Sequence, residues 1–165
     1  MTAVASSGTA VLTLPSDTQI LIRREFDAPK HLVYKAYTTP ELVKRWWHAK
    51  RGEATIAEID LRVGGTWRYV MVTEDGLEVA FHGEYKEIVP NEKLVTTEVY
   101  EGAPNAEDNP TLNTLTLTDE AGRTTMTLLT DCPSREVRDM IIESGMEGGL
   151  QDALDLLEEL AISLA

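Results

Sequence analysis

The chain has 165 residues, 42% of them hydrophobic and 26% charged, and a single cysteine, Cys132. A chain of this length buries about 68–70% of its unfolded surface as one globular domain, and one cysteine excludes an internal disulfide framework or a thiolate zinc cluster. Fifteen basic against 28 acidic residues give a net charge of −13, which repels a phosphate backbone and excludes general nucleic-acid binding.

The charge is uneven. Residues 18–52 carry eight basic and three acidic side chains, and residues 53–165 carry seven and twenty-four. The basic stretch, with Lys44, Arg45, Lys50 and Arg51, reads first as a solvated helix face and second as a patch for an acidic partner. No run approaches the ~18 apolar residues of a membrane span, and residues 1–17 hold no Lys or Arg to open a signal peptide. The expectation is a cytoplasmic protein that does not insert into membranes.

In chain order, residues 1–17 read as a flexible segment that can add an edge strand near Val11–Leu14, and an open strand edge invites pairing into a homodimer. Thr18 to Phe26 alternates as a strand. Asp27-Ala28-Pro29 then starts a short helix with Leu32, Val33, Ala36 and Tyr37 on its apolar side, and Thr39-Pro40 starts a second, with Leu42, Val43, Trp46 and Trp47. Strands follow over 54–61, 66–73, 79–89, 93–100, 111–118 and 124–130, with turns at Gly64-Gly65, Glu74-Asp75-Gly76, Pro90-Asn91-Glu92 and Glu120-Ala121-Gly122. Short turns between consecutive strands make an antiparallel meander.

From Arg135 to about Leu164 the pattern reads as one long helix, kinked where Gly145, Gly148 and Gly149 interrupt an apolar stripe. The compact solution is an α+β fold: a curved antiparallel sheet of about six to seven strands wrapped around a long C-terminal helix, with two short helices after the first strand closing one end. Residues 18–165 form one domain, and a cavity is expected between sheet and helix.

The segments FDAPKHLVYKAYTTPELVKRWW, IDLRVGGTWRYVM, FHGEYKEIVPNEKLV and SGMEGGL are similar, in that order, to segments of the SRPBCC superfamily. More narrowly they resemble its branch homologous to the activator of the heat-shock protein 90 ATPase. The resemblance runs from about Thr18 to Leu160. It implies a helix-grip fold with a hydrophobic pocket under the C-terminal helix. Members of the superfamily include lipid and hormone carriers, polyketide cyclases, antibiotic self-resistance proteins and a co-chaperone domain, so the fold alone does not fix the function.

Candidate cavity residues fall into three groups. Trp46, Trp67, Tyr69 and Met71 are either core filling or a pocket wall, and because adjacent Trp46 and Trp47 cannot both point inward, one of them caps the mouth or lies at the surface. Met126 and Leu128 on the last strand, with Ile141, Met146 and Leu150 on the helix, are either ordinary helix-on-sheet packing or an adaptable lining. His82, Glu84 and Tyr85 are the polar candidates: His82 and Glu84 share a strand face and suit orientation of a ligand carbonyl or hydroxyl better than a metal, for which two ligands are too few. Arg24, Glu25 or Glu58 could enter the barrel, and a buried Arg24 or Arg68 would need an acid. Cys132 has no activating neighbour.

No complete catalytic set, metal site or cofactor motif is present. Three functions remain. The first is a non-catalytic protein holding a hydrophobic or amphipathic small molecule. The second is a cyclase-, dehydratase- or hydrolase-like enzyme in the same cavity, using His82, Glu84 or Tyr85. The third is a co-chaperone or stress-response interaction module using the basic helices or an exposed Trp.

Overall fold

Alternation of apolar and polar residues dominates the chain and organises a computed structural model that describes residues 3–5, 10–47, 52–102 and 106–165. Nine strands form one antiparallel sheet: β1 (Ala3–Ala5), β2 (Val11–Thr13), β3 (Gln19–Phe26), β4 (Gly52–Ile59), β5 (Thr66–Thr73), β6 (Glu78–Val89), β7 (Lys93–Tyr100), β8 (Thr111–Glu120) and β9 (Arg123–Asp131). The order across the sheet is β1-β2-β3-β9-β8-β7-β6-β5-β4. Every neighbour is also a neighbour in sequence except β3 and β9, where the ends of the meander meet with Ile20 opposite Thr130 and Phe26 opposite Thr124.

Helices α1 (Lys30–Thr38) and α2 (Pro40–Trp46) sit between β3 and β4, and α3 (Arg135–Glu143) and α4 (Met146–Ser163) end the chain. Pro40 opens α2, where its missing N–H costs nothing. The Ser134 hydroxyl caps α3 by accepting from the Val137 N–H at 3.2 Å.

Two expectations are corrected. Among the described residues the strand count is nine rather than six to seven, because two three-residue strands extend the sheet beyond β3: β2 lies where the sequence offers a strand near Val11–Leu14, and β1 is too short to show a period. These two also mean that the two short helices follow the third strand. The C-terminal helix is two helices and not one. Gly145, with φ +83°, stands between them in the left-handed region that ends a helix. Gly148 and Gly149 lie in the first turn of α4, so the three glycines break the helix once, at Gly145, rather than weakening its middle.

One face of the sheet, called inner below, packs on the helices. Phe26, Leu117 and Met126 on the strands, Val33 on α1, Val43 on α2, and Leu154 and Leu157 on α4 are all 0–2% exposed. Further toward α3 the packing loosens: Leu128, Ile141, Ile142, Met146 and Leu150 pack on this core but are only partly buried. The domain is thus densely filled at the C-terminal end of α4 and looser at its start.

Candidate functional site

Strand phase assigns each candidate to a face. On β5, Trp67 and Tyr69 point inward, their ring centroids 4.8 Å apart. On β6, Phe81 and Tyr85 point inward, with Gly83 between them. On β7 the buried Leu94, opposite Leu115 of β8, sets the phase and puts Thr96 and Glu98 on the same inner face. Tyr37 of α1 and Trp47, just after α2, come down from the helices. The Tyr37 ring lies 4.8 Å from Trp46, and Trp47 meets Tyr69 and Phe81 edge-on at 5.4 and 5.8 Å. Besides Trp46, six aromatic rings therefore gather over one end of the sheet.

A carboxylate lies among them. Glu98 accepts a long hydrogen bond from Asn113 Nδ2 at 3.4 Å, and Asn113 Oδ1 accepts from the Thr130 hydroxyl at 2.7 Å, so a polar thread crosses β7, β8 and β9. Burial pushes the Glu98 carboxyl up from its ordinary range, opposed by the Asn113 bond. Tyr37 is raised by burial and then by the Glu98 charge. Tyr69 is raised by burial, with Tyr85, Tyr37 and Glu98 adding to it. The Tyr37 hydroxyl contacts Met126 Sδ at 3.9 Å. Among the described residues, the buried side-chain nitrogens and oxygens without a hydrogen-bond partner are Arg24 Nε and Trp67 Nε1.

The structure separates the candidates from sequence. Trp67, Tyr69, Tyr85, Met126, Leu128, Ile141, Met146 and Leu150 lie on or against the inner face. Trp46 is 4% exposed in the helix-side core, its Nε1–H donating to the Ala36 carbonyl at 2.9 Å. Trp47 is half-buried over the sheet, so neither tryptophan is an exposed contact residue, because the chain leaves α2 at Trp47 and turns that ring inward. Met71 is buried at the far end of β5, between Ala54 and Val79 across the strands and apart from the main core. His48, Lys50 and Arg51 lie outside the described residues.

His82 and Glu84 are corrected. They do share a face, but it is the outer one, since Phe81, Gly83 and Tyr85 occupy the inner positions of β6. Glu84 pairs with Lys86 at 2.7 Å. His82 bridges two acids, with Nδ1 2.8 Å from Glu101 and Nε2 2.8 Å from Glu107, and Arg68 makes a two-pronged pair with Glu101 at 2.9 and 3.0 Å. Arg68 and His82, with Glu58, Asp60 and Thr66, border an open groove of about 480 Å³. Of the three groups named for acid–base chemistry, Tyr85 alone faces the interior.

Of Arg24, Glu25 and Glu58, Arg24 is the one that enters the interior. It is 2% exposed, holds Asp155 at 2.7 Å and Glu158 at 3.0 Å on α4, and its guanidinium carbon lies 5.0 Å from the centre of the Phe26 ring. Glu25 and Glu58 are exposed. Burial, and then Asp131, push the Cys132 thiol up, which disfavours the reactive thiolate.

Sequence reasoning missed Glu98, Asn113 and Tyr37 as site residues, and left open which of Trp46 and Trp47 caps the mouth. Glu98 was within reach: Leu94 fixes the phase of β7, and two steps of two lead to Thr96 and Glu98.

A curved antiparallel sheet gripping C-terminal helices, with aromatic residues over its concave face, defines a helix-grip protein of the SRPBCC superfamily. Residues 27–161 match the model of the family described as Activator of Hsp90 ATPase homolog 1-like protein, and the chain belongs to that family. Among solved structures it is similar to a protein from Rhodobacter sphaeroides, at 25% identity over 92% of this chain and 97% of that one, with a TM-score of 0.84. Proteins from Mycobacterium smegmatis and Nitrosomonas europaea share the fold. The first is 24% identical over 90% and 94% of the two chains, with a TM-score of 0.80; the second is 22% identical over 93% and 99%, with a TM-score of 0.79. No curated protein matches the chain. Among the described residues, no helix is long and apolar enough to cross a membrane.

Proposed function

We propose that this protein binds an amphipathic small molecule between the inner sheet face and the α3–α4 segment. One observation carries the reading. Tyr37, Tyr69, Glu98, Leu128, Ile141, Met146 and Leu150 all face inward, yet each keeps part of its surface accessible, whereas Phe26, Leu117, Leu154 and Leu157 at the other end keep 2% or less. An inward-facing side chain with accessible surface borders space that protein atoms do not fill, and unfilled apolar space beside a few polar groups is where small molecules bind.

The test is titration with N-phenyl-1-naphthylamine, an apolar fluorescent probe, and competition by unlabelled alkylphenols and fatty acids. Saturable binding of one probe per chain, abolished when Leu128→Trp or Leu150→Trp fills the space in a variant that still melts cooperatively, supports the reading. Absence of saturable binding, or binding unchanged in both filled variants, overturns it.

A further inference from the structure

Trp67, Gly83 and Glu98 follow one another across three strands on the inner face. Trp67 is opposite Gly83, and the flanking pairs His82–Val99 and Tyr85–Thr96 put Glu98 opposite Gly83 on the other side. A Cβ added to Gly83 would collide with the Thr97 carbonyl oxygen and lie 2.7 Å from Trp67 Nε1. The bare glycine therefore lets the nitrogen edge of the indole lie across β6, toward β7. That N–H is buried, in a residue 6% exposed, and has no acceptor. A buried donor left unpaired is costly and calls for an explanation.

Beyond it stands Glu98, leaning on Asn113 through one bond of 3.4 Å. Among the described residues no Lys or Arg forms an ion pair with it. The row thus presents an unanswered donor and an under-satisfied acceptor on either side of a residue with no side chain. The two do not bond each other.

Resting on the small-molecule reading above, we propose that the site is specific for a hydroxyl group on a flat apolar body. The hydroxyl oxygen accepts the Trp67 Nε1–H, and its own hydrogen is donated to the Glu98 carboxylate. The chemistry selects this group. An ammonium would satisfy Glu98 but has no lone pair for the indole N–H. A ketone or a carboxylate would accept the N–H but turn lone pairs toward Glu98. A hydroxyl both donates and accepts at one atom. The body is flat because Trp47 meets Tyr69 and Phe81 edge-on over the same strands, and aromatic rings favour offset or edge contact with another ring.

The experiment is isothermal titration calorimetry at neutral pH with four probes of similar shape: 4-butylphenol, 4-butylanisole, 4-propylbenzylamine as its ammonium salt, and butylbenzene. Calorimetry keeps the readout independent of Trp67 fluorescence. The phenol is expected to bind about tenfold or more tightly than its methyl ether and than butylbenzene, a difference of about 1.4 kcal/mol. That preference should shrink below about threefold in Glu98→Leu and in Trp67→Phe, with the affinity for butylbenzene retained. Equal binding of phenol and ether by the wild-type protein, or a preference for the ammonium probe, overturns the hydroxyl site and leaves small-molecule binding standing. Failure of all four probes to bind removes both.

Discussion

Gln151 holds Ala10 by both of its peptide groups: the Ala10 N–H donates to Gln151 Oε1 at 3.1 Å, and Gln151 Nε2 donates to the Ala10 carbonyl at 2.8 Å. The two residues are 6% and 2% exposed, so one side-chain amide replaces a missing strand partner in a place water does not reach. It also ties Ala10, directly before β2, to the helix that the sheet grips. Gln151→Leu, similar in volume, leaves both backbone groups unpaired and is expected to cost about 2–4 kcal/mol. Urea denaturation gives the loss, and faster hydrogen exchange at the Ala10 amide than at Ile22 locates it.

Arg24 and its two acids should respond unequally to mutation. Asp155 is half exposed and Glu158 about a quarter exposed, so both regain water when Arg24 is removed, and Arg24→Met is expected to cost about 1.5–3 kcal/mol. Removing both acids strands a guanidinium that is 2% exposed, and the double variant Asp155→Asn/Glu158→Gln is expected to cost more, about 3–5 kcal/mol. Chemical denaturation of the two variants side by side gives the order, and the reverse order would refute the buried-cation account.

Acid should loosen the outer face. Glu101 is pulled down to about 2 from an ordinary 4.5, chiefly by its hydrogen bond to Arg68 and secondarily by that to His82. A depressed carboxylate contributes stability that is fully present above about pH 4.5 and is lost as pH falls toward 2. Because all three side chains are partly exposed, the contribution is small, below about 1 kcal/mol. Thermal melts of wild type and Glu101→Gln should differ at pH 7 and converge near pH 2; a gap that persists unchanged at pH 2 would mean that the charge is not its source.

The β8–β9 hairpin carries a stabilising substitution ready to be made. Ala121 and Gly122 both have positive φ, +54° and +80°, the geometry of a type I′ turn. Alanine is strained there and asparagine much less so, so Ala121→Asn is expected to raise stability by about 0.5–1 kcal/mol. A melting temperature unchanged or lowered would count against the turn assignment.

Much of this architecture was legible in the residues, and where reading stopped has physical causes. The Trp67–Tyr69 alternation fixes β5, and the turn residues Asn91 and Gly122 mark hairpins because only a few residue types accept their backbone angles. Alternation tells which residues share a face but not which face meets the core, and that is why His82 and Glu84 read as interior. Their neighbours held the answer: Phe81 and Tyr85 bracket Gly83 with aromatic rings, and adjacent strand residues such as Glu84 and Tyr85 cannot both point inward. Ala3–Ala5 has no period to read. The break at Gly145 could not be told from a kink, since a glycine's left-handed angle is a property of backbone and leaves no mark on composition. Glu98 escaped because a glutamate on a strand reads as solvated until its phase is tied to Leu94.

The pairing of β3 with β9 sets an order of events as well as a shape. Hairpins β4–β5 through β8–β9 join neighbours in sequence and can zip in turn, but β3, which pairs with β2 on one side, finds β9 on the other only after the whole meander between them has been made. Closing so long a loop costs entropy before any contact rewards it, so refolding should be slow for a domain of this size and limited by that single seam. On the ribosome the same seam keeps β3, α1 and α2 waiting, their apolar sides uncovered, until Asp131 and then α4 have been synthesised. Residues 123–163 must emerge before residues 19–46 can fold.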